Sequence, residues 1–129
     1  LEAAGPEALQ ATCIVARRSA LVQGYAEALA ARGVPTFVLG RGGDDPRVPG
    51  VRLATMHRVK GVEFDRVWIA GVEEGVVPPA GALSAQADDV SRDEVLRLER
   101  SLLYVAATRA KREAVVSWGG VRSRLLGPG

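Results

Sequence analysis

Thr12–Leu39 reads TCIVARRSALVQGYAEALAARGVPTFVL, and the change of period inside it decides the fold class. Thr12 to Ala16 is an apolar run of the length of a buried strand. Ser19 stands where a helix cap belongs, and Leu21, Val22, Tyr25, Ala28 and Leu29 then recur at helical spacing up to about Arg32, where Gly33 stops the helix. Pro35 to Leu39 reads as a second strand. A strand, a helix and a strand in so short a span is the unit from which parallel sheets are built.

Working outward, Gly40–Gly50 (GRGGDDPRVPG) is dense in glycine, proline and aspartate and reads as loop. Val51–Thr55 is a third strand and Arg66–Gly71 (RVWIAG) a fourth, with the continuous apolar centre of a strand covered on both faces. The small, polar stretch from Val76 to Arg92 reads as an exposed loop. Ser91–Arg112 has helical spacing, and Glu113–Trp118 closes the chain's strands. The expected fold is α/β, a mostly parallel sheet flanked by helices, with ligands beyond the carboxyl ends of its strands.

With 129 residues, 47% of them hydrophobic and 25% charged, the chain is sized for one domain with a real core. No apolar run approaches the ~20 residues of a membrane span, and Leu1–Gln10 lacks the basic start and apolar middle of a signal peptide, so the chain reads as cytoplasmic. One cysteine and one histidine exclude an internal disulfide and a four-ligand zinc site, and no metal-binding residues are expected. Seventeen cations against fifteen carboxylates leave a net charge of +2. Lys60 and Lys111 are the only lysines, and the arginine excess suits phosphate as well as it suits a GC-rich genome.

The glycines at 40, 42 and 43 do not make a dinucleotide-binding turn, because Pro46, Pro49 and Gly50 prevent the helix such a turn must feed. Nucleophilic hydrolysis lacks its parts. There is no G-x-S-x-G elbow, Cys13 lies inside an apolar strand, and Glu73 and Glu74 read as a solvated acidic turn. Arg109 follows Leu98, Leu102 and Val105 at steps of four, three and four, which sets it on the buried stripe of a helix. The spacing fits an arginine holding an anion and one that snorkels or pairs with a carboxylate equally well. Arg17, with Arg18 beside it, ends the first strand at the expected ligand edge, either to grip phosphate or as a structural pair. Thr55–Phe64 (TMHRVKGVEF) sets a hydroxyl, an imidazole and cations straight after a strand, fit for a phosphodiester chain or for a polar surface turn.

At these residues the chain resembles the second RecA-like motor domain of superfamily 1 DNA helicases of the UvrD, PcrA and Rep type. Ala54–Pro78 (ATMHRVKGVEFDRVWIAGVEEGVVP) is similar to motif V and its strand, and Leu98–Trp118 (LERSLLYVAATRAKREAVVSW) to motif VI. IVARRS (14–19), with Pro35 eighteen residues after Arg17, is similar to motif IV, and RSRLL (122–126) to the usual closing segment. The likeness covers nearly the whole chain, so residues 1–129 are expected to be one such domain, with 41–50 a short loop where relatives insert an auxiliary domain.

The resemblance implies a domain that works with ATP and Mg²⁺, held mainly by an N-terminal motor domain of the same protein, and that moves along single-stranded DNA. It implies that Arg17 and Arg109 approach the γ-phosphate from one rim of the sheet, Arg109 as arginine finger. It further implies nucleotide contacts from Gly61 and Glu63, and DNA contacts from Thr55, His57 and Arg58. The chain departs from the pattern at Ala16, where relatives often carry an adenine-stacking tyrosine, and at Ser101, where a second arginine is common. Trp118 reads as a core residue. No G-x-x-x-x-G-K-[ST] loop is present, so this polypeptide alone is expected not to hydrolyse ATP. The alternative is a free-standing nucleic-acid or protein-binding module derived from such a domain.

Overall fold

The computed structural model describes residues 6–126. In chain order they form α1 (Pro6–Gln10), β1 (Thr12–Ala16), α2 (Ser19–Ala31), β2 (Thr36–Val38), β3 (Val51–Thr55), β4 (Phe64–Ile69), α3 (Ala80–Ser84), α4 (Asp89–Ala107), β5 (Ala110–Val116) and a closing 3-10 turn, Arg124–Leu126. The five strands are all parallel and lie in the order β2-β3-β1-β4-β5. This is the expected RecA-like α/β sheet with helices on it.

The apolar run Thr12–Ala16 takes the middle of the sheet because it is buried along its whole length. Its side chains alternate between two cores. Cys13 and Val15 join Val67, Ile69, Leu103 and Ala106 beneath α4, while Ile14 and Ala16 join Leu53, Val22 and Ala26 beneath α2. Burial, with the nearby Asp44 charge a second cause, raises the Cys13 thiol far above its ordinary pKa, which leaves it inert packing.

Boundaries shift where hydrogen bonding overrides the pattern. Arg18, not Ser19, is the extended residue ahead of α2, and its side chain makes no capping bond. β4 begins two residues before the expected start because the Phe64 amide donates to the Arg109 carbonyl at 2.9 Å. The stretch from 76 to 92 is not all loop: Val77 is fully buried, α3 forms, and Asp88 caps α4 by accepting from the Ser91 amide at 2.7 Å.

The largest correction concerns α4. It ends at Ala107, with Thr108 as its C-cap, so Arg109 stands in the link to β5 and not on a helix. Its buried residues are Glu99, Leu103 and Ala106, while Leu98 is 66% exposed. The buried stripe is thus displaced by one position, and a glutamate occupies it where the pattern of leucines pointed elsewhere.

The acidic turn after β4 is structural. Glu74 accepts from the Arg124 amide at 2.6 Å and from its Nη2 at 2.9 Å, tying the closing 3-10 turn to the sheet. The Arg124 side-chain hydrogen bond is the main cause holding the Glu74 carboxyl below its usual pKa. A carboxylate lowered by folding adds stability above its unfolded pKa of about 4.3, and that stability is lost as pH falls through the depressed folded value. Acidification from about pH 6 to 3 is therefore expected to lower amide protection at 122–126 by a factor of about two to five, as suits a half-exposed pair. Hydrogen exchange should detect this, and Glu74→Gln should abolish the pH dependence.

Candidate functional site

At the carboxyl end of β3 the chain turns sharply. The Thr55 carbonyl accepts from the Arg58 amide at 3.0 Å and the Val59 amide at 3.2 Å, and the Thr55 hydroxyl also faces the Arg58 amide at 3.3 Å. Val59 anchors the turn in the core, which leaves His57, Arg58 and Lys60 exposed. Between this turn and α4 runs a groove of about 530 Å³, with Met56, Leu102 and Val105 among its apolar lining and Arg17, His57, Lys60 and Ser101 among its polar lining.

Arg17 sits in that groove but is not free. Its Nε donates to Glu99 Oε1 at 2.8 Å and its Nη2 to Glu99 Oε2 at 2.9 Å, a bidentate pair in which the glutamate residue is only 5% exposed. The Glu99 hydrogen bond is the leading cause raising the Arg17 pKa. The pair fastens α4 to the end of β1.

Glu63 and Arg109 form a second group, reached from the first through Gly61. Gly61 has φ +88°, a left-handed conformation that favours glycine and redirects the chain toward β4. Glu63 is exposed, directly before the Phe64 amide that bonds Arg109. The Arg109 Nε is buried with no hydrogen-bond partner, and Nη2 makes only a long contact, 3.4 Å, to Thr108 Oγ1. Among the described residues no carboxylate lies within ion-pair distance of it.

The two arginines do not share one rim. Arg17 follows the last residue of β1, whereas Arg109 precedes Ala110, which pairs with Phe64 at the start of β4. With Thr12 beside Arg66 and Ala16 beside Thr55, the two ends are about six residues apart along the strands, roughly 20 Å. The expected convergence fails because β4 and β5 are parallel, so that α4 returns the chain to the amino edge and leaves Arg109 there, and because Arg17 is held by Glu99. What the fold brings together is Thr55, His57, Arg58 and Arg17 at the carboxyl end, and Glu63 and Arg109 at the amino end, with Gly61 on the segment between them. Residues 56–63 run from one group to the other.

Trp118 is not a core residue: it is 45% exposed, with the Arg122 guanidinium 5.5 Å from its ring centroid. Among the described residues no three His, Cys, Asp or Glu side chains gather into a metal-binding group. The sequence reading passed over two residues, Glu99 and Arg52, and counted Lys60 among the cations of the turn without naming it as a DNA contact. Glu99 was hidden by the one-residue phase error on α4. Arg52, fully buried in β3, was marked only by its place inside an apolar strand.

The family model for the UvrD-like helicase C-terminal domain matches residues 41–120, which hold every residue of the two groups but Arg17. The chain belongs to this family. Among relatives of this UvrD-like domain, the ATP-dependent DNA helicase UvrD2 of Mycobacterium tuberculosis is 40% identical over 78 residues, 60% of this chain and 11% of the relative. DNA helicase II of Escherichia coli is 39% identical over 90 residues, covering 68% of this chain and 11% of its own length. The UvrD-like domain thus spans about a tenth of the curated relatives it matches. The solved C-terminal domain of a possible DNA helicase from Lactobacillus plantarum WCFS1 superimposes with a TM-score of 0.64 at 25% identity, over 91% of this chain and 61% of that one. No helix among the described residues is long and apolar enough to cross a membrane.

Proposed function

We propose that this UvrD-like domain is the C-terminal motor domain of a cytoplasmic, ATP-dependent DNA helicase or translocase and works against an N-terminal motor domain of the same protein. The observation that carries the reading is the Arg109 guanidinium, whose buried Nε has no hydrogen-bond partner, in a residue whose backbone carbonyl accepts from the Phe64 amide directly after Glu63. A buried donor left unpaired is costly unless a ligand or a second surface completes it. A planar, permanently charged fork suits the phosphate chain of ATP, and the Glu63 carboxylate suits a ribose hydroxyl, with Gly61 letting the backbone approach. The N-terminal domain would hold most of the nucleotide and its Mg²⁺, and ATP hydrolysis would supply the driving free energy. Arg109 would stabilise charge developing on the transferred phosphoryl group. The 129-residue chain on its own would be inactive.

Single-stranded DNA would cross the carboxyl end, where His57, Arg58 and Lys60 are exposed and Thr55 shapes the turn beneath them. Arg17 enters this reading as a positioning residue, because its donors already serve Glu99. The segment 56–63 couples the two ends: a shift of Glu63 and Arg109 against nucleotide would move the DNA-facing turn, provided nucleotide favours one arrangement over the other. A titration of a fluorescent oligothymidine at several salt concentrations tests the DNA half. Arg58→Ala should reduce the slope of log affinity against log salt by about 0.7, the loss of one phosphate contact on a single strand. An unchanged slope would remove Arg58 from the interface.

A further inference from the structure

Arg52 stands in the middle of the sheet edge formed by β2 and β3, and it is 0% exposed. Arginine is almost never buried completely unless all its polarity is met. Here every acceptor comes from one connection, residues 44–50. Nε donates to Asp44 Oδ1 at 2.9 Å, Nη1 to the Gly50 carbonyl at 2.7 Å, and Nη2 to the carbonyls of Asp45 and Val48 at 2.8 and 2.7 Å. Phe37 of β2 covers the guanidinium, 5.2 Å from its ring centroid.

The connection is fixed from outside as well. Gln10 of α1 donates to the Pro46 carbonyl at 2.7 Å. At Gly50, φ is +117°, and a side chain there would meet the Pro35 carbonyl group at 2.5 Å, so only glycine lets the loop return against the start of β2. A slack linker could not present four acceptors to one planar fork, because their relative positions must be held together.

We propose that residues 40–50 are a closed cap built around Arg52, an intrinsic part of this domain and not an open point of attachment for a further domain. The inference concerns architecture and stands independently of the ATP and DNA reading. It makes Arg52 the residue that defines how this chain passes from β2 to β3.

The test compares two insertions of about ten Gly/Ser residues in the 129-residue chain, one between Arg47 and Val48 and one between Gln86 and Ala87 in the α3–α4 link. Lengthening a flexible loop costs little by itself. The second insertion should therefore lower Tm by no more than about 3 °C. The first separates Asp45 from Val48 and Gly50, leaves the buried guanidinium short of acceptors, and should lower Tm by more than about 10 °C. Trypsin should also cut at Arg41 and Arg47 at least about ten times faster in Arg52→Met than in the parent chain, if that variant folds. Equal losses from the two insertions, whatever Arg52→Met does, would overturn the proposal.

Discussion

Arg109→Ala, introduced into the complete two-domain motor, is expected to lower DNA-stimulated ATP turnover by about 10³-fold or more while leaving the fold and single-strand affinity essentially unchanged. The rate loss follows from removing a cation that acts only as charge develops on the phosphoryl group. The intact fold follows because, among the described residues, the Arg109 side chain makes no ion pair and only one long hydrogen bond, to Thr108, while its backbone bonds survive the substitution. The unchanged DNA affinity follows from the roughly 20 Å between the amino-end group and Thr55, His57 and Arg58. Arg109→Lys should rescue little, because an ammonium group lacks the planar fork. Turnover within about tenfold of the parent would remove Arg109 from the phosphoryl-transfer step, and a fall in DNA affinity equal to the fall in turnover would remove the division of labour between the two ends.

Arg17 should behave in the opposite way. Arg17→Met strands the Glu99 carboxylate in a site where the side chain is only 7% exposed, and breaking a buried pair from one side costs about 3–5 kcal/mol. In a domain of this size that is a drop in Tm on the order of 10–20 °C, visible by calorimetry. The double variant Arg17→Met with Glu99→Leu should recover most of the loss, since two apolar groups of similar volume replace both charges. A stable Arg17→Met protein with damaged turnover would show that the arginine leaves Glu99 to meet the nucleotide. A destabilised one whose double variant regains stability places its work inside the fold.

The two arginines show how far the sequence could be read. Period and punctuation were enough for the parallel sheet, because Thr12–Ala16 is a short run buried throughout, Val51–Thr55 is buried up to its last residue, and α2 separates the first two strands by a helical stripe. The motif V turn was legible because Thr55, His57 and Arg58 are neighbours in the chain and stay neighbours in space. The relation between Arg17 and Arg109 was not legible. It depends on α4 running back against the parallel strands, which delivers Arg109 to the amino edge just before β5 starts at Ala110. It depends also on Glu99, a charged residue on the buried face, which a hydrophobic pattern assigns to solvent. Arg52 escaped for the same reason: a lone cation in a strand gives no hint that a loop ahead of it supplies its acceptors.

The span from Met56 to Glu63 has a consequence for protein engineering. About eight residues cover roughly 20 Å, near 2.5 Å each, against a limit of about 3.3–3.6 Å for fully stretched chain. The surplus length is taken up by the turn in which the Val59 amide donates to the Thr55 carbonyl, and Val59 pins the middle. Exposed side chains along this tether can be exchanged without disturbing the fold so long as Met56 and Val59 stay apolar and Gly61 keeps its left-handed bend, whereas removing one residue would have to undo the turn from Thr55 to Val59 that sets the histidine over the groove.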